Sequence, residues 1–231
     1  MNEILDIGPL ATQVYQNLKD STEPPVSKLL KLKADAEAVF LFLKDEYEKE
    51  VSKRRKGMVW DEQTLAAIDL AAKWFFAGNR DGLLLYGKYG NGKTTLLNCI
   101  RRLFKMDRLW DDVLMVTTAM VIEDMNSGSR DENLYRRCCD VDVLLMDEVG
   151  VEESTSIVWG TRRTPIQDII VHRYDRREIT VISSNLDDNG FMEKYGLRVM
   201  DRIGESYTRI AYPQGSYRNP SGGFAIAIKE N

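Results

Sequence analysis

Three cysteines, a single histidine and no long apolar run exclude several kinds of protein at once. Cys99, Cys138 and Cys139 form neither a disulfide framework nor a C-x-x-C metal pattern, and an odd count favours a reducing, cytoplasmic setting. His172 alone excludes a multi-histidine metal centre. The longest apolar stretches, such as "AVFLFL" at 38–43, are far short of the ~18 residues that suggest a membrane span. The start, "MNEILDIGPL", has no basic stretch leading into an apolar one, so no secretory signal is expected. Positive charge is not in excess either: the net charge is −4, which gives no bulk attraction to nucleic acid. The basic groups "KRRK" at 53–56 and "RR" at 101–102, 162–163 and 176–177 read as solvated faces that folding can still gather along a groove.

What is present is the composition of a globular protein, 43% hydrophobic and 29% charged over 231 residues. That length supports one substantial core, with room for a small appendage. No glycine occurs between Gly8 and Gly57, and this region carries few strand signals. "VSKLLKLKADAEAVFLFLKDEYEKEVSKRRK", residues 26–56, predicts a long helix with Leu29, Leu32, Ala36, Val39, Phe40 and Leu43 at helical spacing. Residues 1–58 are therefore expected to form a helical N-terminal module, and 59–231 a second domain.

From residue 59 helices and strands alternate. "DEQTLAAIDLAAKWFFAGN" predicts a helix capped by Asp61 and stopped near Gly78. Strands are predicted at 82–87, 112–118, 141–150 and 179–186, with helices at 94–105, near 119–126 and at 164–177. Nearly continuous apolar strands between helices argue for an α/β fold with a parallel sheet covered on both faces.

The stretch "GKYGNGKTT" at 87–95 follows the strand "GLLLYG" and opens a helix. Gly87, Gly92, Lys93 and Thr94 fit G-x-x-x-x-G-K-[ST] in its required strand–loop–helix setting. In such a loop (Gly87, Lys88, Tyr89, Gly90, Asn91, Gly92, Lys93, Thr94, Thr95) backbone N–H groups turn inward on phosphate oxygens and the helix adds its positive end. Lys93 can reach the β- and γ-phosphates, and the Thr94 hydroxyl can ligate Mg²⁺. ATP with Mg²⁺ is the expected occupant. "VLLMDE" places Asp147 and Glu148 where a buried parallel strand emerges, at the sheet edge where ligands bind. Asp147 is the candidate for the Mg²⁺ shell, and Glu148 for a general base acting on water.

Asn185, ending "TVISSN", is either a contact to the γ-phosphate and the attacking water or a cap before "DDNG". Arg198 and Arg202 in "LRVMDRIGES" share a helix face. They either pair with acids such as Asp201 and Glu205 or project across a subunit interface to a neighbour's γ-phosphate. Arg218 in "GSYR" follows the strand-like "TRIAY" and reads equally as a surface arginine.

Taken in order, "LLLYGKYGNGKTTL", "VLLMDEVG", "IIVHRY", "TVISSNL", "LRVMDRI" and "GSYR" resemble AAA+ ATPases of the DnaC-like helicase-loader group, over roughly residues 60–218. The transposition-helper ATPases of the IstB-like kind share most of these stretches. The resemblance implies a P-loop NTPase fold of AAA+ type. It makes Lys93 and Thr94 the Walker A pair and Asp147 and Glu148 the Walker B pair. Asn185 becomes sensor I, Arg202 with Arg198 the arginine-finger box, and Arg218 sensor II. It implies a Mg²⁺-dependent ATPase that assembles as a homo-oligomer, binds single-stranded DNA and places a replicative DNA helicase on it, the N-terminal module gripping the helicase. Thirteen residues follow Arg218, too few for a C-terminal helical lid, and residues 1–58 carry no zinc-binding cysteines.

Three other readings compete. A transposition helper would act on duplex DNA. A P-loop kinase would phosphorylate a small substrate, but the adjacent Asp147–Glu148 and the late arginine pair suit hydrolysis better. A nucleotide-dependent adaptor would use slow hydrolysis only to time release.

Overall fold

The computed structural model describes residues 34–54, 60–78, 80–106, 110–127, 134–152, 156–158, 161–163 and 165–212. Five parallel strands form the sheet: β1 (Gly82–Gly87), β2 (Val113–Thr117), β3 (Val143–Val149), β6 (Ile179–Ser184) and β7 (Tyr207–Tyr212). Their order is β2-β3-β6-β1-β7, so β1, β3 and β6 lie side by side in the middle. A separate antiparallel pair, β4 (Ser156–Val158) and β5 (Thr161–Arg163), follows β3.

Both faces of the sheet are covered, and alternate strand residues serve opposite cores. Leu83, Leu85, Val143, Leu145, Ile179 and Val181 join one cluster, whereas Leu84, Leu144, Met146 and Ile182 join the other. Three helices cover the first face: α1 (Ala36–Ser52), α2 (Glu62–Trp74) and α3 (Lys93–Met106). On α3 the predicted apolar face, Leu96, Leu97, Ile100, Leu103 and Phe104, is buried. The second face carries α4 (Thr118–Ser127), α5 (Leu134–Asp140), α6 (Pro165–Asp175), α7 (Asp188–Tyr195) and α8 (Leu197–Ser206).

Two expectations change in detail. The N-terminal helix starts at Ala36, because the Asp35 carboxylate caps it by accepting the Ala38 N–H at 2.8 Å. Leu29 and Leu32 lie outside the described residues. The pairs at 101–102 and 176–177 are not free solvated charge throughout. Arg102 bridges from α3 to α1, donating to Glu46 Oε2 at 2.6 Å and Glu50 Oε2 at 2.5 Å. Arg177 lies 3.6 Å from Asp81, and Arg176 lies 3.9 Å from Glu178. Asp61 caps α2 as expected, accepting from the Thr64 N–H at 2.8 Å. Among the described residues no helix is long and apolar enough to cross a membrane.

Candidate nucleotide site

The carboxyl ends of β1, β3 and β6 meet at one edge, and each delivers one part of the site. After β1 the chain turns at Gly87 with φ 133°, and a Cβ there would come within 2.2 Å of the Tyr212 carbonyl oxygen. Only glycine permits that approach of the loop to β7. Asn91 is fully buried and donates to the same carbonyl at 3.2 Å, so its side chain anchors the loop. Lys88 and Tyr89 stand exposed at the loop tip. The Leu96 N–H reaches the Gly92 carbonyl at 3.0 Å, which makes Gly92 the first acceptor of α3. The N–H groups of Lys93, Thr94 and Thr95 then precede the first intrahelical bond, a donor set suited to phosphate.

Lys93 is buried, and its ammonium ties the edge together. It donates to the carbonyls of Gly87 and Lys88, each at 2.7 Å, and to Asn91 Oδ1 at 3.1 Å. It also donates to Asn185 Oδ1 at 2.9 Å, so the residue ending β6 sits at the loop lysine. The cap of α7 is Asp187, which accepts from the Gly190 N–H.

The Thr94 hydroxyl donates to Asp147 Oδ1 at 3.1 Å. The same oxygen accepts from the Ser183 hydroxyl and, at 3.1 Å, from the Glu148 N–H. A buried carboxylate oxygen beside a threonine hydroxyl is hard oxygen chemistry, which fits Mg²⁺ completed by phosphate and water. Among the described residues no group of three or more His, Cys, Asp or Glu is placed to hold a metal ion.

Glu148 is exposed, although its neighbours in β3 are buried. The reason is a register irregularity between Met146 and Val149, with Glu148 at φ 60°. Such a bulge re-aims a side chain at the strand end. The Thr118 hydroxyl donates to the Glu148 carbonyl at 3.1 Å, and the Glu148 N–H also reaches Ser183 Oγ at 3.2 Å.

The arginines stand apart. Arg202 donates to the Arg198 carbonyl at 3.2 Å, lies 3.8 Å from Asp175 and sits over the Tyr174 ring at 5.0 Å. None of these partners belongs to the loop, Asp147 or Asn185, and Arg198 is exposed on the same helix. Arg218 lies outside the described residues.

Sequence reasoning missed several supports. Ser183 is a polar residue inside an apolar strand, and that oddity is a usable signal. Arg173 is fully buried and donates to Thr180 Oγ1 and to four backbone carbonyls, of Cys138, Cys139, Val141 and Ile179. Burial pulls its guanidinium below the ordinary arginine range. Glu152 and Tyr195, also unforeseen, pair in the interior. Burial, reinforced by the Glu152 carboxylate, holds the Tyr195 phenol far above its usual range.

The central β3-β6-β1 edge, the glycine loop on α3 and the Thr94–Asp147 pair define a P-loop NTPase domain of AAA+ type. No family model matches the chain. It is 28% identical over 134 residues to the replicative helicase loader DnaC of Buchnera aphidicola, covering 55% of this chain and 52% of that one. It is 29% identical over 133 residues to the replicative helicase loader DnaC of Escherichia coli, with 55% and 52% covered. The chain thus spans about half the length of these curated relatives. Among solved structures it is similar to DnaI (TM-score 0.53, 21% identity, 73% of this chain and 93% of that one). The DnaC helicase loader is also similar (TM-score 0.54, 19% identity, 67% and 93%). Over about half its length the chain is thus similar to proteins named replicative helicase loader DnaC, and it shares the fold of DnaI and the DnaC helicase loader.

Proposed function

We propose that this chain is an ATPase of DNA replication that places a replicative helicase on single-stranded DNA. One observation carries the catalytic half: Lys93 and Thr94, from one loop, meet Asn185 and Asp147 from two other strand ends by direct hydrogen bonds. Its role in replication is supported by the relatives named replicative helicase loaders.

In this reading the loop N–H groups and Lys93 hold the β- and γ-phosphates. Thr94 and Asp147 would hold Mg²⁺, which would offset phosphate charge. Asn185 orients the attacking water, and Glu148 takes its proton. The water oxygen bonds to the γ-phosphorus as the bond to the β–γ bridging oxygen breaks, and ADP leaves with that electron pair. Arg202, with Arg198 beside it, serves a neighbouring subunit's γ-phosphate in a homo-oligomer, which suits an arginine pair turned away from its own site. We assign Arg218 a contact to nucleotide in the same assembly. Residues 1–58 are assigned to gripping the helicase and 59–231 to the ATPase domain. The α1 part of the first stretch is fastened to α2 and α3 through Val39, Leu43 and Tyr47 in the shared core.

The test combines turnover with assembly. Lys93→Ala should lose ATP binding, whereas Glu148→Gln should bind ATP and hydrolyse it at least about 100-fold more slowly. Light scattering after size exclusion, with a non-hydrolysable ATP analogue, single-stranded DNA and the cognate helicase, should show co-elution with the helicase. Normal turnover by Glu148→Gln removes that residue from its role. Assembly on duplex DNA alone, without helicase contact, refutes the loader in favour of a transposition helper.

A further inference from the structure

Beyond the residues facing the nucleotide, the turn after β3 is tied to α7 by groups with no role in the site above. Gly150, at φ 103°, redirects the chain just past Glu148 and Val149. Its N–H donates to Glu152 Oε2 at 2.9 Å, and Glu152 Oε1 accepts from the Tyr195 hydroxyl. Lys194 Nζ donates to the Glu152 backbone carbonyl and lies 3.8 Å from Oε1. The Glu152 side chain is only 2% exposed. A carboxylate so removed from water is tolerated only when both oxygens are paired, as they are here.

Two more contacts join the same segments. A Cβ on Gly150 would come within 2.5 Å of the Leu186 side chain, the residue after Asn185. The Ser184 hydroxyl donates to the Val149 carbonyl at 2.5 Å. Residues 148–152 and 184–195 are therefore fastened at three places.

We propose that Glu152 is a positioning residue that locks the turn carrying Glu148 to α7, so that Glu148 and Asn185 meet the γ-phosphate as one unit. This rests on the ATPase reading above. A non-glycine residue at positive φ persists only where its surroundings over-determine it. Thr118, Asp147 and Ser183 hold Glu148 from one side. Glu152 holds Gly150 from the other. Glu152 lies beneath the turn, paired with Tyr195 and Lys194, and acts through Glu148. The unit also reaches further: α7 ends at Gly196, which starts α8, and the two helices pack together.

The experiment compares Glu152→Met, Glu152→Gln and Tyr195→Phe in the full chain. Methionine matches the length but offers no oxygen. Glutamine keeps an oxygen for the Gly150 N–H, and its amide can donate to the Tyr195 oxygen. Glu152→Met should bind a fluorescent ATP analogue within about twofold of wild type while single-turnover hydrolysis falls about tenfold or more, the scale of a misplaced catalytic group. Glu152→Gln should recover most of that rate, and Tyr195→Phe should fall between. Hydrogen exchange at the Gly150 amide should speed up in Glu152→Met but not in Glu152→Gln. Wild-type turnover and protection in Glu152→Met overturn the proposal. So does equal loss of binding and rate in Glu152→Met, which marks a merely structural role. If Glu152→Met does not fold, Tyr195→Phe with unchanged turnover and exchange overturns it. A wild-type protein without turnover sinks the ATPase reading instead, and exchange at Gly150 then decides the positioning claim alone.

Discussion

Replacing Arg173 by methionine removes the one cation that five acceptors share deep inside the domain. The guanidinium donates through Nε to Thr180 Oγ1 at 2.8 Å and through Nη2 to the Ile179 carbonyl at 2.7 Å. Through Nη1 it reaches the carbonyls of Cys138, Cys139 and Val141 at 3.1, 3.3 and 2.8 Å. It thus fastens the end of α5 to the start of β6, the strand that leads to Asn185. Methionine fills the aliphatic space, so the main loss is polar. Each orphaned buried acceptor costs about 1–3 kcal/mol, but neighbouring carbonyls relax together, so the sum falls short of additivity. A total of about 3–5 kcal/mol is expected, as when one partner leaves a buried charged network. For a chain of this size that lowers the melting midpoint by roughly 10 °C. Arg173→Lys, with three donors on one nitrogen, should recover only part. Thermal and urea unfolding followed by circular dichroism measure this. A loss under about 1 kcal/mol, or lysine no better than methionine, would refute the account of Arg173 as a shared carbonyl anchor.

Gly87→Ala should leave the fold intact by circular dichroism but weaken ATP binding at least about tenfold in a fluorescence titration. The added Cβ meets the Tyr212 carbonyl, and the strain is relieved by shifting the loop. Acid should act through α1. The hydrogen bond from Arg102 holds the Glu46 carboxyl below its ordinary range, and bonds from Lys53 and then Arg102 do the same for Glu50. Carboxyls depressed in the folded state stabilise it fully above the unfolded value of about 4.3, and that contribution is lost as pH falls through the folded values. Urea midpoints measured from pH 7 downward should drop below about pH 4, and Arg102→Met should flatten the drop. Because the Arg102 side chain is 34% exposed, screening keeps the effect modest, near 1 kcal/mol or less, and added salt should shrink it.

The elements legible in the sequence are those with long local patterns. The apolar runs at 82–87, 143–149 and 179–184 are strands because both their faces are buried, and the face on α3 is apolar at helical spacing. The α5 helix, "LYRRCCD", is seven residues long, too short to display a period, and its end is completed by a guanidinium from α6. The strands β4 and β5 have three residues each, and α7 opens with "DNG", a turn signal until Asp187 caps it. The break before α1 lies in one side-chain bond of Asp35, which hydrophobic spacing does not reveal.

In the site, the sequence by itself determined the glycine loop between β1 and α3 and the place of Asp147 and Glu148 at the end of β3, because each needs only contiguous residues of set types beside a strand. It determined the parallel α/β class as well, through strands apolar on both faces. Only the tertiary structure decided that Asn185 meets Lys93, across 92 residues, and that Ser183 joins Thr94 at Asp147. It alone decided that Arg202 turns to Asp175 and Tyr174, and that Glu152 pairs with Tyr195 beside the turn after β3. The physical reason is range: a loop or a strand is encoded by neighbours along the chain, whereas a buried hydrogen bond between distant residues exists only once strand order and register have set the two groups within about 3 Å.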